Sequence, residues 1–201
     1  MGRSDRRELV YAAMTSPMPT RTPEAPIEIG LISDTHGLLR PEVFDALKGV
    51  SRIFHAGDVG SPDILIELAT IAPVRAVWGN TDAPGRPDLV ERIEETISGM
   101  RIVVTHGHEL GIPKPPQLVS RYPTADIIVY GHTHQQLIVQ AARRTVINPG
   151  AAGPQRFKLV PSVARMRIYN RQVEVRIIPL GAPQVDEPDI ADDDLDLDLD
   201  E

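Results

Sequence analysis

Cysteine is absent from the 201 residues of the chain. This absence excludes disulfide bonds, thiolate zinc sites, iron–sulfur clusters and cysteine nucleophiles. Any metal ion that the chain binds must therefore be held by nitrogen and oxygen ligands.

Long apolar runs and aromatic residues are also scarce. No apolar run near the N-terminus is long enough for a signal peptide, and none approaches the roughly 20 residues of a membrane-spanning helix. We therefore expect a soluble, cytoplasmic protein that does not bind a membrane. Aromatic residues make up 4% of the chain. The largest basic cluster outside the chain ends is Arg143-Arg144, so a nucleic acid ranks below a small molecule as partner.

Acidic charge is concentrated near the C-terminus. The formal net charge is -7, but residues 186–201 hold ten of the 28 acidic residues and no basic one, whereas residues 27–180 hold 17 basic and 15 acidic residues. A block of like charge cannot form a core, and prolines precede the first periodic pattern. We predict a disordered N-terminal segment (1–26), one domain (27–180) and a disordered acidic tail (181–201), since the length suits a single core.

Apolar segments between these ends alternate with amphipathic ones. Pro41 and Pro62 each begin a predicted helix, and Val43, Phe44 and Leu47 are expected to share one face of the first. Five predicted strands each end in front of a polar residue, namely segments 27–33, 51–57, 74–79, 100–105 and 125–131. Strands that are apolar on both faces indicate a sheet covered on both sides, and ligands of such sheets bind at the carboxyl ends of the strands. The pattern therefore predicts a site at these ends.

The last third of the domain has strand patterns without a helix between them. These patterns cover residues 136–141, 144–148, 162–169 and 172–180. Asn170-Arg171 suits a two-residue hairpin turn. We predict an antiparallel block that forms a second sheet or extends the first.

The polar residues at the strand ends have the chemistry of metal ligands. The Asp34-x-His36 spacing places an oxygen and a nitrogen on the same side of an extended chain. Asp58 follows Gly57, and its carboxylate could bridge two cations about 3.5–4 Å apart, the separation used in two-metal hydrolysis. Asn80 offers a neutral oxygen, so the site would keep the positive charge that attracts an anionic substrate.

Three histidines complete the candidate site. His106 and His132 each follow a predicted strand, and His132-x-His134 repeats the first spacing. A single histidine or aspartate at a strand end is more often a turn former or a satisfied polar group, but seven such residues after five strands favour a joint role. We expect two divalent ions, with manganese as the first choice and zinc, iron, nickel or cobalt as alternatives.

Five short motifs resemble those of the calcineurin-like metallophosphoesterases, in the same order. They are Asp34-x-His36, Gly57-Asp58, Gly79-Asn80, His106-Gly107-His108 and Gly131-His132-x-His134. In its small size and in the sequences THGH (105–108) and NPGA (148–151), the chain most resembles the compact YfcE-type phosphodiesterases. The resemblance implies an α/β fold, an αββα sandwich in which helices flank two packed mixed sheets. It also implies one ion held by Asp34, His36 and His134, a second held by Asn80, His106 and His132, and Asp58 as the bridge between them.

The chain departs from the common family pattern at Thr81. Many members have a histidine here that can protonate the leaving group, and a threonine hydroxyl is a poor acid near neutral pH. Asp82 or His108 could supply the proton, although His108 could equally hold its loop through a hydrogen bond. We therefore expect diesters with good leaving groups to react, and poor alkoxide leaving groups to react slowly.

Three functions fit these residues. The first is a phosphodiesterase of a small diester, in which a hydroxide bridging the ions attacks phosphorus in line. The second is a phosphomonoesterase of a small phosphorylated metabolite, and the third is a non-catalytic scaffold like the retromer-coat subunit that shares this fold. The complete ligand set favours an enzyme, and a homo-oligomer is compatible with the sequence. A monoesterase would need further cations, for which the candidates are Arg40, Lys114 and Arg156.

Two further residues have expected supporting roles. His55 lies inside an apolar strand, where a structural role is favoured. Asn148 belongs to an Asn-Pro-Gly turn, which the resemblance places beside the metals. Asn148 could therefore support the site, and Arg156 in the same region could contact phosphate.

Overall fold

The computed structural model describes residues 25–156 and 158–181. Almost all of the predicted N-terminal segment and acidic tail lies outside these ranges, so their disorder stays a prediction. In chain order the described elements are β1 (Ile27–Ile32), α1 (Glu42–Ala46), β2 (Arg52–His55), α2 (Asp63–Ala69), β3 (Val74–Val77), β4 (Leu89–Val90), β5 (Ile93–Ile97), β6 (Met100–Val104), a 3-10 turn (His108–Leu110), α3 (Pro115–Arg121), β7 (Ile127–Val129), β8 (Leu137–Ala141), β9 (Arg144–Asn148), β10 (Ser162–Tyr169) and β11 (Gln172–Pro179).

These strands form two mixed sheets. The first has the order β11-β10-β1-β2-β3-β4, and the second has the order β5-β6-β7-β9-β8. In the first sheet β1 to β4 run parallel, and β10 is antiparallel to β1. In the second sheet β6, β7 and β9 run parallel, between antiparallel edge strands β5 and β8. The predicted αββα sandwich with two mixed sheets is confirmed.

The final four strands are divided between the two sheets. The β8–β9 hairpin belongs to the second sheet, and the β10–β11 hairpin belongs to the first. Asn170 and Arg171 make the predicted turn of the β10–β11 hairpin, with φ angles of 49° and 60° that suit a two-residue type I′ turn. The prediction of one antiparallel block was wrong, because β9 also pairs in parallel with β7. The four strands therefore form two hairpins that extend different sheets.

Apolar side chains fill the space between the sheets. Leu31 and Phe54 from the first sheet are buried in this layer with Val104 and Val129 from the second. Residues of β10 complete it, because Ala164, Met166 and Ile168 alternate towards the same interior. Each sheet therefore buries one face against the other sheet and leaves its outer face to the helices.

Helices cover both outer faces of the sandwich. Pro41 and Pro62 directly precede α1 and α2, as predicted. Val43 and Leu47 are buried against the first sheet, but Phe44 is 37% exposed, because a neighbour in a helix is rotated by about 100°. The prediction that Phe44 shares their face was therefore wrong. The α3 helix covers the second sheet, and none of the helices in the described ranges is long and apolar enough to cross a membrane.

Candidate metal centre

The seven predicted ligands follow strands that end at one edge of the sandwich. Parallel strands direct the loops at their carboxyl ends to the same edge. Asp34 and His36 follow β1, Asp58 follows β2, Asn80 follows β3, His106 follows β6, and His132 and His134 follow β7. Side chains from the two sheets come into contact there.

Asp34, His36 and His134 form a first group of potential ligands. Their donor atoms lie within 4.8 Å of one another. Nε2 of His36 is 3.3 Å from Nε2 of His134, and Nε2 of His134 is 3.2 Å from Oδ1 of Asp34. Two nitrogens and one oxygen therefore converge, as the donor atoms of a divalent cation do.

Asp34, Asp58 and His106 form a second group within the same distance limit. Oδ2 of Asp58 lies 3.4 Å from Nε2 of His106 in the same group and 3.9 Å from Nε2 of His36 in the first group, so this carboxylate is near both groups. Oδ1 of Asn80 lies 3.2 Å from Nε2 of His106. Asp34 belongs to both groups, which the sequence did not indicate.

His132 lies beside the second group. Its ring centroid is 5.1 Å from that of His106, and its backbone N–H donates a hydrogen bond of 3.2 Å to Oδ2 of Asp34. Nδ2 of Asn148 donates to the carbonyl oxygen of Gly131 at 2.8 Å. Asn148 therefore holds the loop that carries His132, which agrees with the supporting role expected for it.

Five of the seven residues have a left-handed backbone conformation. The φ angle is 54° at Asp34, 47° at His36, 53° at Asp58, 68° at His132 and 58° at His134. Residues other than glycine adopt such angles at a cost of about 1–3 kcal/mol each, and they concentrate at functional sites. The backbone strain therefore points to this edge as the functional site.

Glycines allow the loops of the site to approach closely. A Cβ atom at Gly79 would overlap Oδ1 and the backbone nitrogen of Asp58, and a Cβ atom at Gly131 would overlap Oγ of Ser33. A side chain at either position would push two site loops apart. The glycine before each of these two candidate ligands therefore provides the space that its loop needs.

The hydrogen bonding of His106 fits a cation at its outer nitrogen. Nδ1 of His106 lies 2.9 Å from the carbonyl oxygen of Ala56, so this nitrogen carries the proton. Nε2 of the neutral ring is then an acceptor, yet it faces oxygen atoms of Asn80 and Asp58. Oδ1 of Asp34 is also buried without a hydrogen-bond partner. Converging acceptors of this kind need a cation or a proton among them, and the residues therefore fit a bound metal.

The ionisation of Asp58, His36 and His132 agrees with metal binding. Burial alone would raise the pKa of Asp58, but hydrogen bonds from His106 and Thr81 hold that pKa well below its usual range. Burial lowers the pKa of His36 and the pKa of His132, which favours the neutral imidazole that binds metals. His106 differs from these groups. Burial opposes its protonation, but the contact with Asp58 and the nearby carboxylate charges raise its pKa, so this position favours a positive charge, either a proton or a cation.

His55 supports the loops from a fully buried position. Its Nδ1 accepts a hydrogen bond of 3.3 Å from the Gly57 N–H, and its Nε2 lies 2.9 Å from Oγ1 of Thr35. The Thr35 hydroxyl donates to the carbonyl oxygen of Val59 at 2.9 Å. Burial lowers the pKa of His55 to about 4, so the ring is neutral near neutral pH. The sequence predicted a structural histidine, but it did not reveal Thr35 as its partner.

Asp82 anchors two loops of the site. Its fully buried side chain accepts three backbone hydrogen bonds. Oδ2 accepts from the N–H groups of Gly79 at 2.8 Å and Val59 at 3.1 Å, and Oδ1 accepts from Gly60 at 2.8 Å. Both oxygens are therefore engaged in joining the loops after β2 and β3. This geometry argues against Asp82 as the proton donor that the sequence suggested.

His108 lies next to the cluster, at the start of the 3-10 turn. Its ring centroid is 5.2 Å from that of His106 and 4.9 Å from that of Trp78. Nδ1 of His108 is buried and has no hydrogen-bond partner, so this atom does not make the loop-holding hydrogen bond that was the alternative. Sequence reasoning missed Trp78, although the only tryptophan of the chain directly precedes Gly79-Asn80.

The three candidate cations occupy different places. Nε of Arg40 donates to the carbonyl oxygen of Gly153 at 3.0 Å, so Arg40 holds a loop. Lys114 directly precedes α3, and none of the contacts described for it reaches the cluster. Arg156 is exposed and lines a small cavity together with His134. Among these three, Arg156 is the cation that lies beside a candidate ligand.

Comparison with known proteins gives a consistent family assignment. Residues 27–171 match the model of the calcineurin-like phosphoesterase superfamily domain. A probable metallophosphoesterase of Methanothermobacter thermautotrophicus is 40% identical over 163 residues, which cover 77% of this chain and 94% of the relative. Phosphodiesterase MJ0936 of Methanocaldococcus jannaschii is 27% identical over 143 residues, which cover 62% of this chain and 83% of the relative. The structure of vacuolar protein sorting 29 from Cryptosporidium parvum has a similar fold, with a TM-score of 0.66, 21% identity, and coverage of 78% of this chain and 99% of that chain.

Proposed function

Since the chain belongs to the calcineurin-like phosphoesterase superfamily, we propose that it is a dinuclear metal-dependent phosphodiesterase. One observation carries this proposal, namely the convergence of carboxylate and imidazole donors from both sheets at one strained edge. Nε2 of His106 faces the oxygen of Asn80, and Oδ1 of Asp34 is buried without a hydrogen-bond partner. Bound cations would account for that arrangement.

The proposed ligand set divides into two sites. We propose that Asp34, His36 and His134 hold one ion, that Asn80, His106 and His132 hold the second, and that Asp58 bridges them. The position of Asp58 Oδ2 between His36 and His106 supports the bridging role. Only two carboxylates would face two dications, so positive charge would remain for an anionic ester. Manganese is the first metal to test.

Bound ions would lower the pKa of a water nucleophile and neutralise the phosphoryl oxygens. The chain itself orients the ligands. The Thr81 N–H donates to Oδ1 of Asp58 at 2.9 Å, and Thr81 Oγ1 lies 3.4 Å from Nδ1 of His36. Thr81 therefore holds two ligands in place at the position where many relatives have a histidine.

His108 is the residue that we propose as the proton donor to the leaving group. Its ring lies against the ring of the proposed ligand His106, and none of the hydrogen bonds described for residues 25–156 and 158–181 fixes the ring. Burial lowers the pKa of His108, so the protonated fraction near neutral pH is small and poor leaving groups should react slowly. Replacing His108 by glutamine should therefore slow esters with poor leaving groups more than p-nitrophenyl esters. Equal slowing of both would refute this role.

We propose a diester rather than a monoester as the substrate. A phosphodiesterase is among the relatives. A monoester carries nearly two negative charges and would need several free cations, whereas Arg40 is engaged with Gly153 and Arg86 with Asp88. Arg156 lines a small cavity with the proposed ligand His134, which supports a single cationic contact to the phosphoryl group. A small diester is preferred over a nucleic acid because aromatic residues are few.

Hydrolysis of two chromogenic esters tests this proposal. Metal-stripped protein is assayed with bis-p-nitrophenyl phosphate and with p-nitrophenyl phosphate, with and without added manganese. We expect manganese to restore hydrolysis of the diester, and Asp58→Asn to lower kcat by about 100-fold or more. Asparagine can still accept the Thr81 hydrogen bond, so the loop should keep its shape. Asp45→Asn on the exposed side of α1 is the matched control and should retain full activity.

Two results would change the proposal. If the protein hydrolyses the monoester faster than the diester, the proposed substrate becomes a small phosphomonoester. Manganese binding without turnover of either ester would favour the non-catalytic scaffold, and a search for a protein partner would follow.

A further inference from the structure

A cavity of about 430 Å³ opens beside the candidate metal centre. Its wall comes from the end of β3 and from the loop that leads to β4. We call this cavity the Trp78 pocket, and its wall includes Trp78, Asn80, Ala83, Pro84, Arg86 and Leu89. Its volume lies within the range of about 300–1,000 Å³ that is typical of small-molecule sites.

Apolar groups form most of this wall. Trp78 is 39% exposed, and its ring is held by the ring of His108, with 4.9 Å between the centroids. Ala83 and Pro84 are exposed on the loop, while Leu89 is only 8% exposed. The pocket therefore presents a supported aromatic face, on which another ring can stack.

Charged groups at the pocket disfavour a second anionic group. Arg86 donates two hydrogen bonds to the Asp88 carboxylate, of 3.1 and 2.5 Å, and a third to the carbonyl oxygen of Gly60 at 2.6 Å. It also lies 3.6 Å from Oδ1 of Asp82. Its charge is therefore already compensated. The pocket is also lined by exposed Glu91, whose carboxylate would repel a phosphate.

Asn80 connects the pocket to the cluster. Its side chain lines the pocket, and its Oδ1 is 3.2 Å from Nε2 of His106. A phosphoryl group held at the cluster would thus have the pocket directly beside it. One ester substituent on that phosphorus can enter the pocket while the charged oxygens stay at the cluster.

We propose that the Trp78 pocket binds an uncharged aromatic ester group of the substrate. This inference rests on the proposed function, because it assumes that the phosphoryl group is held at the metal centre. It narrows the substrate class to phosphoesters in which at least one substituent is an aromatic ring or carries one. Simple alkyl phosphodiesters would leave the pocket empty.

Binding of non-hydrolysable phosphonates tests the pocket without relying on turnover. Phenylphosphonate, cyclohexylphosphonate and methylphosphonate carry the same anionic group on different substituents. Their dissociation constants are measured by calorimetry with the manganese-loaded full chain. We expect phenylphosphonate to bind about tenfold or more tightly than methylphosphonate, and more tightly than cyclohexylphosphonate, because a planar ring can stack on Trp78.

Three variants locate the effect. Ala83→Phe adds a ring to the exposed wall of the pocket and should reduce phenylphosphonate affinity to that of methylphosphonate, whose own affinity should not change. Trp78→Leu keeps an apolar wall without the aromatic face and should lower phenylphosphonate affinity about threefold to tenfold. Ile66→Ala, at a 66% exposed position on α2, is the control and should leave all affinities unchanged.

Several outcomes would overturn the proposal. Equal affinities for phenylphosphonate and methylphosphonate would do so, as would a full phenyl preference in Ala83→Phe. Cyclohexylphosphonate binding as tightly as phenylphosphonate would exclude an aromatic preference. Manganese binding is measured first without phosphonate. Failure to bind manganese would refute both the proposed metal centre and the proposed role of the pocket. Manganese binding without a preference for the aromatic ring would refute only the role of the pocket.

Discussion

Asp82→Asn should destabilise the protein by about 2–4 kcal/mol, because Asp82 joins two site loops. The carboxylate accepts hydrogen bonds from Val59 and Gly79 at Oδ2 and from Gly60 at Oδ1. An asparagine can keep one oxygen at the Oδ2 position, but its NH₂ group would then face the Gly60 N–H. One hydrogen bond to a charged acceptor, of about 1.5–3 kcal/mol, is lost, and two N–H donors face each other at a partly buried position. The loss of the nearby Arg86 charge pair adds to this cost.

Urea unfolding of the metal-stripped protein measures this effect directly. Asp88→Asn is the matched control, because Asp88 is a neighbouring carboxylate that pairs with Arg86 at the surface and should contribute less than about 1 kcal/mol. A loss below about 1 kcal/mol for Asp82→Asn would refute the anchoring role. Unchanged stability, together with a rate loss that increases for poorer leaving groups, would instead restore Asp82 as the proton donor.

Three further predictions concern pH, loop packing and metal binding. The unfolded chain takes up a proton at His55 below pH about 6.5, whereas the folded chain does so only near pH 4. Stability from this residue should therefore fall by about 2 kcal/mol between pH 7.5 and pH 5. Urea unfolding across this range should show a shallower fall for His55→Gln, and equal slopes would contradict the assignment. Gly79→Ala should weaken manganese binding by about tenfold or more in calorimetry, because its Cβ would overlap Asp58; unchanged affinity would show that the loops can move apart freely. Manganese should raise the Tm of metal-stripped protein, and Asp34→Asn should remove most of this increase; an identical increase in the variant would exclude Asp34 as a ligand.

The candidate ligands could be predicted because their positions follow from local sequence. Each of the five apolar segments ends at a polar residue, and parallel strands bring their carboxyl ends to one edge. Asp34, Asp58 and His106 could thus be placed near one another before any distance was known. The glycine before Asn80 and the glycine before His132 also belong to these local patterns. Their physical reason, close approach to another loop, appears only in three dimensions.

The supporting residues could not be assigned in the same way. Asp82 follows Thr81, which occupies the position of the proton-donating histidine of many relatives. Its place in the sequence therefore suggested that Asp82 protonates the leaving group. Its actual partners are backbone N–H groups, two of them from the loop after β2, more than 20 residues away in sequence. Thr35 and Trp78 likewise gain their roles from His55 and His108. Every residue except proline has a backbone N–H group, so a sequence pattern does not indicate which of these groups binds a given side chain. Such partners can be identified only from the folded structure.

The sequence by itself determined which segments are buried strands, which residues end them and that any metal must be held by nitrogen and oxygen. The tertiary structure decided how the strands are shared between two sheets, because a strand that is apolar on both faces can be covered equally well by helices or by another sheet. It also decided the paths of β4, β5 and α3, none of which the sequence reading assigned. Tertiary packing brought Trp78 and Asn80 together beside one cavity. The candidate ligands could thus be identified from short stretches of sequence. The shape and chemistry of their surroundings depend on contacts between distant parts of the chain.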